Sequence, residues 1–403
     1  MSSSSSFSPF KDQRAVALLL AATLTTMANA AISPALPGLE ARFADHPQAA
    51  LLTRFLVPAP SVAVVLIAGW SGVLADRVGK RILLLGGVIL FAIAGSLGTV
   101  LDSLEAILAS RLALGVAVAL IMTAQTALIG DYFQDEARSR LLGLQISARN
   151  IGGLVSITLA GFLALLSPMH VFAIHGLALL ILPLLWTAIR EPKPAETPTA
   201  IPGATVDTAP APDGLGLGLW SMAALQMLTV ICFFTMPTQV PFFVASHGVT
   251  NTAVIGGVMG ALTLAGALAA TRYATLKPRY GHTGLFTIGF GLMGSGMLTL
   301  ALAPNLGVIF VGATLVGLGF ATVSPNFNEI ALKSAPANRR GRAAGVMTTS
   351  VFLGQIVSPL LTLPLVQATG YRGTFITLAT VLLICAAVAL VRHSLRKPIA
   401  NRI

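Results

Sequence analysis

Twelve apolar runs, each near twenty residues and parted by short polar segments, fill nearly all of this 403-residue chain. A run of about twenty apolar residues crosses a hydrocarbon layer about 30 Å thick. Inside that layer no water pairs the backbone N–H and C=O groups, so each run must be helical. The runs are 15–37, 51–71, 82–101, 104–128, 142–166, 170–189, 217–239, 253–273, 284–303, 306–330, 344–368 and 372–391. Composition agrees: 55% of residues are hydrophobic and 10% charged, against about 25% charged in a soluble domain. The expected fold class is an all-α membrane protein of twelve transmembrane helices.

The runs divide into two sets of six. Between the sixth and seventh lies a Pro-, Ala- and Thr-rich segment, 190–216, which reads as a linker. A gap-free shift of 202 residues superposes Arg77 on Arg279, Gly79 on Gly281, Gly115 on Gly317, Arg140 on Arg342, Gly143 on Gly345 and Gly152 on Gly354. An even number of spans per half keeps the copies in the same orientation, a parallel repeat. The expected organisation is an N-terminal tail (1–14), a six-helix bundle (15–189), the linker (190–216), a second six-helix bundle (217–391) and a C-terminal tail (392–403).

Charge orients the whole. With both termini cytoplasmic, twenty of the 25 Lys and Arg fall in cytoplasmic segments, and only Arg42 and Arg372 lie in external loops. Trp70, Trp186 and Trp220 fall near the inner ends of their spans, where an aromatic belt belongs. The net charge of +11 sits in short loops and not along a groove-sized surface, so nucleic acid is not indicated as a partner. Lys11, Arg14 and Ala28-Asn29-Ala30 imitate a secretory signal; cleavage there would leave eleven spans and orphan one member of the repeat. Cys232 and Cys385 lie inside apolar runs and indicate neither a disulfide framework nor a metal site. No cofactor is expected.

Between the second and third runs stands GVLADRVGKR, residues 72–81. It reads as a tight polar hairpin, with Gly72 and Gly79 permitting the turn and the cations holding it inside. The stretch resembles the signature loop of the major facilitator superfamily through Gly72, Leu74, Ala75, Asp76, Arg77, Gly79, Lys80 and Arg81. In the second repeat it is degraded, with Pro278 for the Asp and His282 for the Lys. LASRLALG around Arg111 is similar to the fourth-helix motif of the family's twelve-span drug:proton antiporter-like group, with Leu114 where Gln is usual. The fifth-helix antiporter motif is matched at Gly152 but departs at Ser156 and Ile157. The resemblance implies two six-helix bundles rocking about a midplane site. It also implies that Asp76 pairs with Arg342 and the positive end of the eleventh helix, and Arg77 with Asp131, as an inner gate.

Polar residues inside the runs are functional candidates, because leaving them in hydrocarbon is costly. Arg111 and Arg149 lie within the fourth and fifth runs, and no Asp or Glu occupies the middle of any run. His175 is the one His well inside a run, and Arg54 lies close enough to an outer end to snorkel to water. Pro34, Pro37, Pro237, Pro241 and Pro325 break the first, seventh and tenth runs. By resemblance these helices and the fourth line the cavity. Substrate-binding candidates are therefore Arg111, Arg149, Asn29, Gln125, Gln226, Gln239 and Asn326, each of which could instead tie helices together.

The reading that results is a secondary active transporter of a small organic solute, working by alternating access, with efflux as its direction and an anionic or zwitterionic compound as its cargo. Its expected setting is a bacterial-type inner membrane, as a monomer with proton as coupling ion. The alternatives are a proton-coupled exporter of hydrophobic or cationic compounds, or a non-transporting membrane sensor on the same scaffold. No nucleophile–base pair, metal cluster or phosphate-binding loop points to an enzyme or to ATP drive.

Overall fold

The structure, a computed structural model, describes residues 9–192, 217–336 and 339–396. Helix dominates, and no strand occurs among the described residues. The N-terminal bundle holds α1 (Gln13–Ala30), α2 (Leu36–Arg42), α3 (Ala49–Phe55), α4 (Ala59–Val78), α5 (Lys80–Ser96), α6 (Leu104–Tyr132), α7 (Asp135–Leu166) and α8 (Ala178–Ala188). The C-terminal bundle holds α9 (Leu217–Ser246), α10 (Thr252–Ala301), α11 (Leu306–Ser334) and α12 (Arg340–Arg396).

Nine helices among the described residues are long and apolar enough to span a membrane, and the α3–α4 pair, bent by 54°, makes a tenth. α10 and α12 run for 50 and 57 residues, about 75 and 85 Å at the helical rise, more than twice the hydrocarbon thickness. Each is broken once, at Gly281 (φ 62°) and Gly370 (φ 69°). Counted as two spans each, they bring the total to the expected twelve. Large apolar side chains such as Leu66, Leu166 and Leu180 face outward, as a lipid-exposed surface requires.

Several boundaries differ from the sequence reading. The hairpin expected over 72–81 shrinks to one residue. α4 stays helical to Val78, α5 starts at Lys80, and only Gly79 (φ 98°) leaves the helical region. Gly72 lies inside α4, with no atom within 4 Å of the place a Cβ would take, so the turn does not depend on it. Polar residues mark where the bilayer ends, but Asp, Arg and Lys are all tolerated in a helix. The first span breaks after Ala30 into a short 3-10 turn, Ser33–Ala35, before α2, and the sixth begins as the 3-10 run Pro168–Leu177. The linker reading begins at 190, yet Glu191 packs on the N-terminal bundle, accepting hydrogen bonds from Lys80 N (2.7 Å) and Arg81 N (2.8 Å). Residues 193–216 lie outside the described residues, as do 1–8 and 397–403 of the two tails.

The repeat has a physical basis. Gly79 and Gly281 are the two positive-φ turns that restart a helix at equivalent places. Ser103 caps α6 through Ala106 N (3.2 Å), and its equivalent Asn305 caps α11 through Val308 N (3.1 Å). A Cβ on Gly115 would stand 2.1 Å from the carbonyl oxygen of Pro60, and one on Gly317 2.1 Å from that of Leu262, itself the equivalent of Pro60. Each bundle thus needs a glycine where two helices touch backbone to backbone. Two apolar cores follow. Leu18, Leu84, Phe91 and Phe172 belong to the first, with Phe234 and Phe242 reaching in from α9. Met236, Phe290, Met293 and Phe375 belong to the second, with Ile157 reaching in from α7.

Candidate functional site

Between the bundles lies a cavity of about 450 Å³. Its wall is largely apolar, with Phe233 and Phe320 stacked at 3.8 Å between ring centres. Nine polar side chains interrupt it: Thr25, Thr26 and Thr263, and with them Asn29, Ser61, Arg149, Asn150, Ser324 and Gln355. Gln355 Oε1 accepts from Asn29 Nδ2 (3.2 Å) and from Ser61 Oγ, so α12 is tied to α1 and α4 at the cavity wall. Asn29 Oδ1 and Arg149 Nε are buried without a hydrogen-bond partner. Among the described residues no carboxylate lines this cavity.

A second void of about 660 Å³ shares Val64, Met122 and Phe352 with the first and reaches Lys80, Asp131 and Arg138. The interior is therefore open toward the Gly79 turn. At the other end the bundles meet. Ser33 Oγ donates to Pro237 O (2.7 Å), and Thr252 Oγ1 donates to Gly161 O (2.8 Å). Arg54 binds across the seam, with Nε donating to Gln239 Oε1 (3.0 Å), Nη1 paired with Glu40, and the guanidinium 3.7 Å over the Phe242 ring. Gly161 and Gly256 bring α7 and α10 into backbone contact, 3.2 Å from a Cβ position on one to the Cα of the other.

Of the seven substrate-binding candidates, Asn29 and Arg149 lie in the cavity wall and five do not. Arg111 is fully buried behind the wall, donating to Ala28 O and to His175 Nε2 (3.2 Å). His175 Nδ1 pairs with Phe172 O (2.9 Å); a carbonyl only accepts, so Nδ1 carries the proton and Nε2 is the acceptor for Arg111. Gln125 donates to Leu18 O, and Gln226 accepts from Ser350 Oγ (3.3 Å). Gln239 joins Arg54 to Thr362 (3.1 Å), and Asn326 Oδ1 accepts from Tyr273 Oη (2.8 Å) and His282 Nδ1 (3.0 Å). These five hold helices together. Gln355, Asn150 and the Phe233–Phe320 pair were not singled out from the sequence. A polar residue in an apolar run flags Gln355 as well as it does Gln125, but the resemblance pointed to other helices.

The turn residues are rearranged too. Arg77 was expected to pair with Asp131, but Lys80 Nζ does so, at 2.6 Å. Once the turn is a single residue, the chain reverses between Arg77 and Lys80, and Lys80 falls against the end of α6. Asp76 and Arg342 are both exposed and do not pair with each other among the described residues, in keeping with an opening at this end. Arg81 donates to Trp186 O (2.9 Å) and lies 4.9 Å over its ring.

Residues 18–359 and, in a second match, 276–402 fit the family described as Major Facilitator Superfamily. The chain belongs to that superfamily. It is thus a multi-pass membrane protein of a family of transporters, not of enzymes. Multidrug efflux pump Tap of Mycolicibacterium fortuitum is 29% identical over 143 residues, 36% of this chain and 35% of that protein. An uncharacterized MFS-type transporter of Pseudomonas aeruginosa (strain LESB58) is 30% identical over 187 residues, 46% of this chain and 44% of that one. The chain therefore spans about a third to under half the length of these curated relatives. Among solved structures, the inward open conformation of the xylose transporter XylE from E. coli matches with a TM-score of 0.75 at 18% identity, covering 95% of this chain and 96% of that one. The human organic anion transporter MFSD10 (TETRAN) matches with 0.69 at 18% identity, covering 94% and 99%. At that identity the likeness establishes the superfamily fold and nothing narrower.

Proposed function

We propose that this chain exports a small organic solute that carries an acidic group, by alternating access, with Arg149 as the contact for that group. One observation carries the reading: Arg149 Nε is buried without a partner in the wall of a cavity that, among the described residues, holds no carboxylate. A guanidinium left alone in a low-dielectric wall is unfavourable, and its planar fork suits a carboxylate or phosphate. Phe233, Phe320 and Met122 would take the apolar body, and Asn29 Oδ1 is free for a donor on the same solute. With both termini and the Gly79 turn cytoplasmic, in a bacterial-type inner membrane, the conformation described is inward-open. One chain supplies both bundles and is the working unit.

The coupling ion we propose is the proton, carried on carboxylates outside the cavity or on the substrate itself. His175 is not free for that task in this conformation, since both ring nitrogens are engaged.

A second reading rests on the likeness to Multidrug efflux pump Tap: export of hydrophobic or cationic compounds, with Arg149 serving structure. The test is transport in inverted and right-side-out vesicles at matched protein levels, comparing the parent with Arg149→Lys and Arg149→Gln. Competition by organic anions, retained in part by Lys and lost with Gln, supports the first reading. Export of cationic drugs unaffected by either substitution, with no competition by anions, overturns it in favour of the second.

A further inference from the structure

A third cavity, of about 480 Å³, is lined by the C-terminal bundle alone, between α9, α11 and the later halves of α10 and α12. Its inner wall is apolar, with Phe286 and Phe290 stacked at 5.6 Å and Met222, Leu225 and Ile330 around them. Ile384 and Val388, exposed on the outer face of α12, form part of its wall and open it toward lipid. The polar part of the wall is largely basic: His282, Lys333 and Arg392, with Thr283 and Ser334 beside them. The nearby carboxylate, Glu329, is not in the wall; it is engaged by Lys277, by Lys333 (2.7 Å) and by Tyr273 Oη (3.2 Å), with His282 Nε2 at 3.9 Å.

The internal repeat says what this place lacks. In the N-terminal bundle the helix restarting after Gly79 is capped by the Glu191 carboxylate, which takes both Lys80 N and Arg81 N. The same 202-residue shift carries Lys80 and Arg81 to His282 and Thr283, after Gly281, and Glu191 to His393. His393 lies beside Thr283, with Nδ1 3.5 Å from Oγ1, but an imidazole cannot replace a carboxylate that accepts two N–H groups. No side chain among the described residues caps His282 N or Thr283 N. The shift also carries Asp131, the anion paired with Lys80, to Lys333. Both acidic positions of the first bundle are thus basic in the second, around an open slot with an apolar floor.

We propose that this slot binds an anionic phospholipid, its phosphate standing where Glu191 stands in the other bundle and an acyl chain lying along Phe286, Phe290 and Val388. A helix start with no side-chain cap, with Arg392 and the Glu329-paired Lys333 beside it, attracts a phosphate. The apolar wall favours the chain over a soluble anion.

Cys385 lines the slot, whereas Cys232 is 1% exposed, so alkylation by a maleimide reads the slot alone, with Cys385→Ser as the blank. The full chain is compared in phosphatidylcholine nanodiscs with and without phosphatidylglycerol, and in phosphatidylcholine with inorganic phosphate. Phosphatidylglycerol is expected to slow alkylation about tenfold, and Arg392→Gln to remove most of that protection, as loss of one charge-assisted contact should. Added salt should weaken protection in the parent. Equal rates in the two lipid mixtures overturn the proposal, as does protection by phosphate alone that matches the lipid. Protection that survives Arg392→Gln unchanged, in protein that elutes as a single species, overturns it as well.

Discussion

Ser33 Oγ, on the 3-10 turn that ends the first span, donates to the carbonyl oxygen of Pro237 on α9 at 2.7 Å. In an unbroken helix that carbonyl would accept from residue 241, but residue 241 is Pro and has no N–H. The oxygen is therefore free to be taken by the opposite bundle, and a helix breaker becomes half of an interbundle bond. Ser33→Ala should weaken the closed seam by about 1 kcal/mol, and Pro241→Ala, which restores the competing N–H, should act in the same direction. Spin-label distances across that end should report a larger open population in both variants. No change in either would separate this bond from the conformational balance.

Arg54 is 5% exposed and engages Glu40, Gln239 and the Phe242 ring. Its truncation leaves a carboxylate and an amide without their donor. Arg54→Ala is expected to lower stability by about 2–4 kcal/mol, with Arg54→Lys intermediate because a point charge cannot serve both partners. Thermal unfolding in a fixed detergent checks the order of the three proteins.

At the turn, backbone conformation should matter more than charge. Gly79 has φ 98°, and a Cβ there would stand 3.0 Å from a Glu191 carboxylate oxygen. Gly79→Ala is expected to cost about 1–3 kcal/mol. Lys80→Gln, which breaks a partly exposed pair with Asp131, should cost under about 1 kcal/mol. Melting temperatures that ranked the two the other way would contradict this.

Arg111 has no carboxylate partner among the described residues; His175 Nε2 and Ala28 O accept from its two Nη groups, while its Nε is buried without a partner. Replacing His175 by Phe keeps a ring of similar width but removes the acceptor, and should destabilise by about 1–3 kcal/mol. His175→Gln, which can still accept, should recover part of the loss. Equal melting temperatures for the Phe and Gln variants would show that packing, not the hydrogen bond, matters there.

Topology is open to a direct check. In a background lacking Cys232 and Cys385, Thr205→Cys should resist an impermeant thiol reagent in intact cells and His46→Cys should react. The reverse pattern would invert the proposed orientation.

The helical class was legible because hydropathy alone forces helix in a bilayer, and the repeat because glycines recur where backbones touch. The one-residue turns were not legible: Asp76 and Arg77 say where lipid stops, and nothing in them says that the helix goes on to Val78. The cavity was legible only in part. Arg111 and Arg149 look alike in sequence, each a lone cation in an apolar run. What parts them is His175, 64 positions beyond Arg111 in the chain, which meets one of them and not the other.

A turn of one residue also sets a rule of length. At 100° per residue, a single insertion after Gly79 would rotate the whole of α5 against α4. Leu84, Val88 and Phe91, all buried in the core, would turn toward lipid, and the cap on Lys80 and Arg81 would lose its register. Gly281 imposes the same condition on the second bundle. These hairpins work as keyed joints, in which side chains can be exchanged but the residue count cannot, and each pair of helices has to travel as one piece.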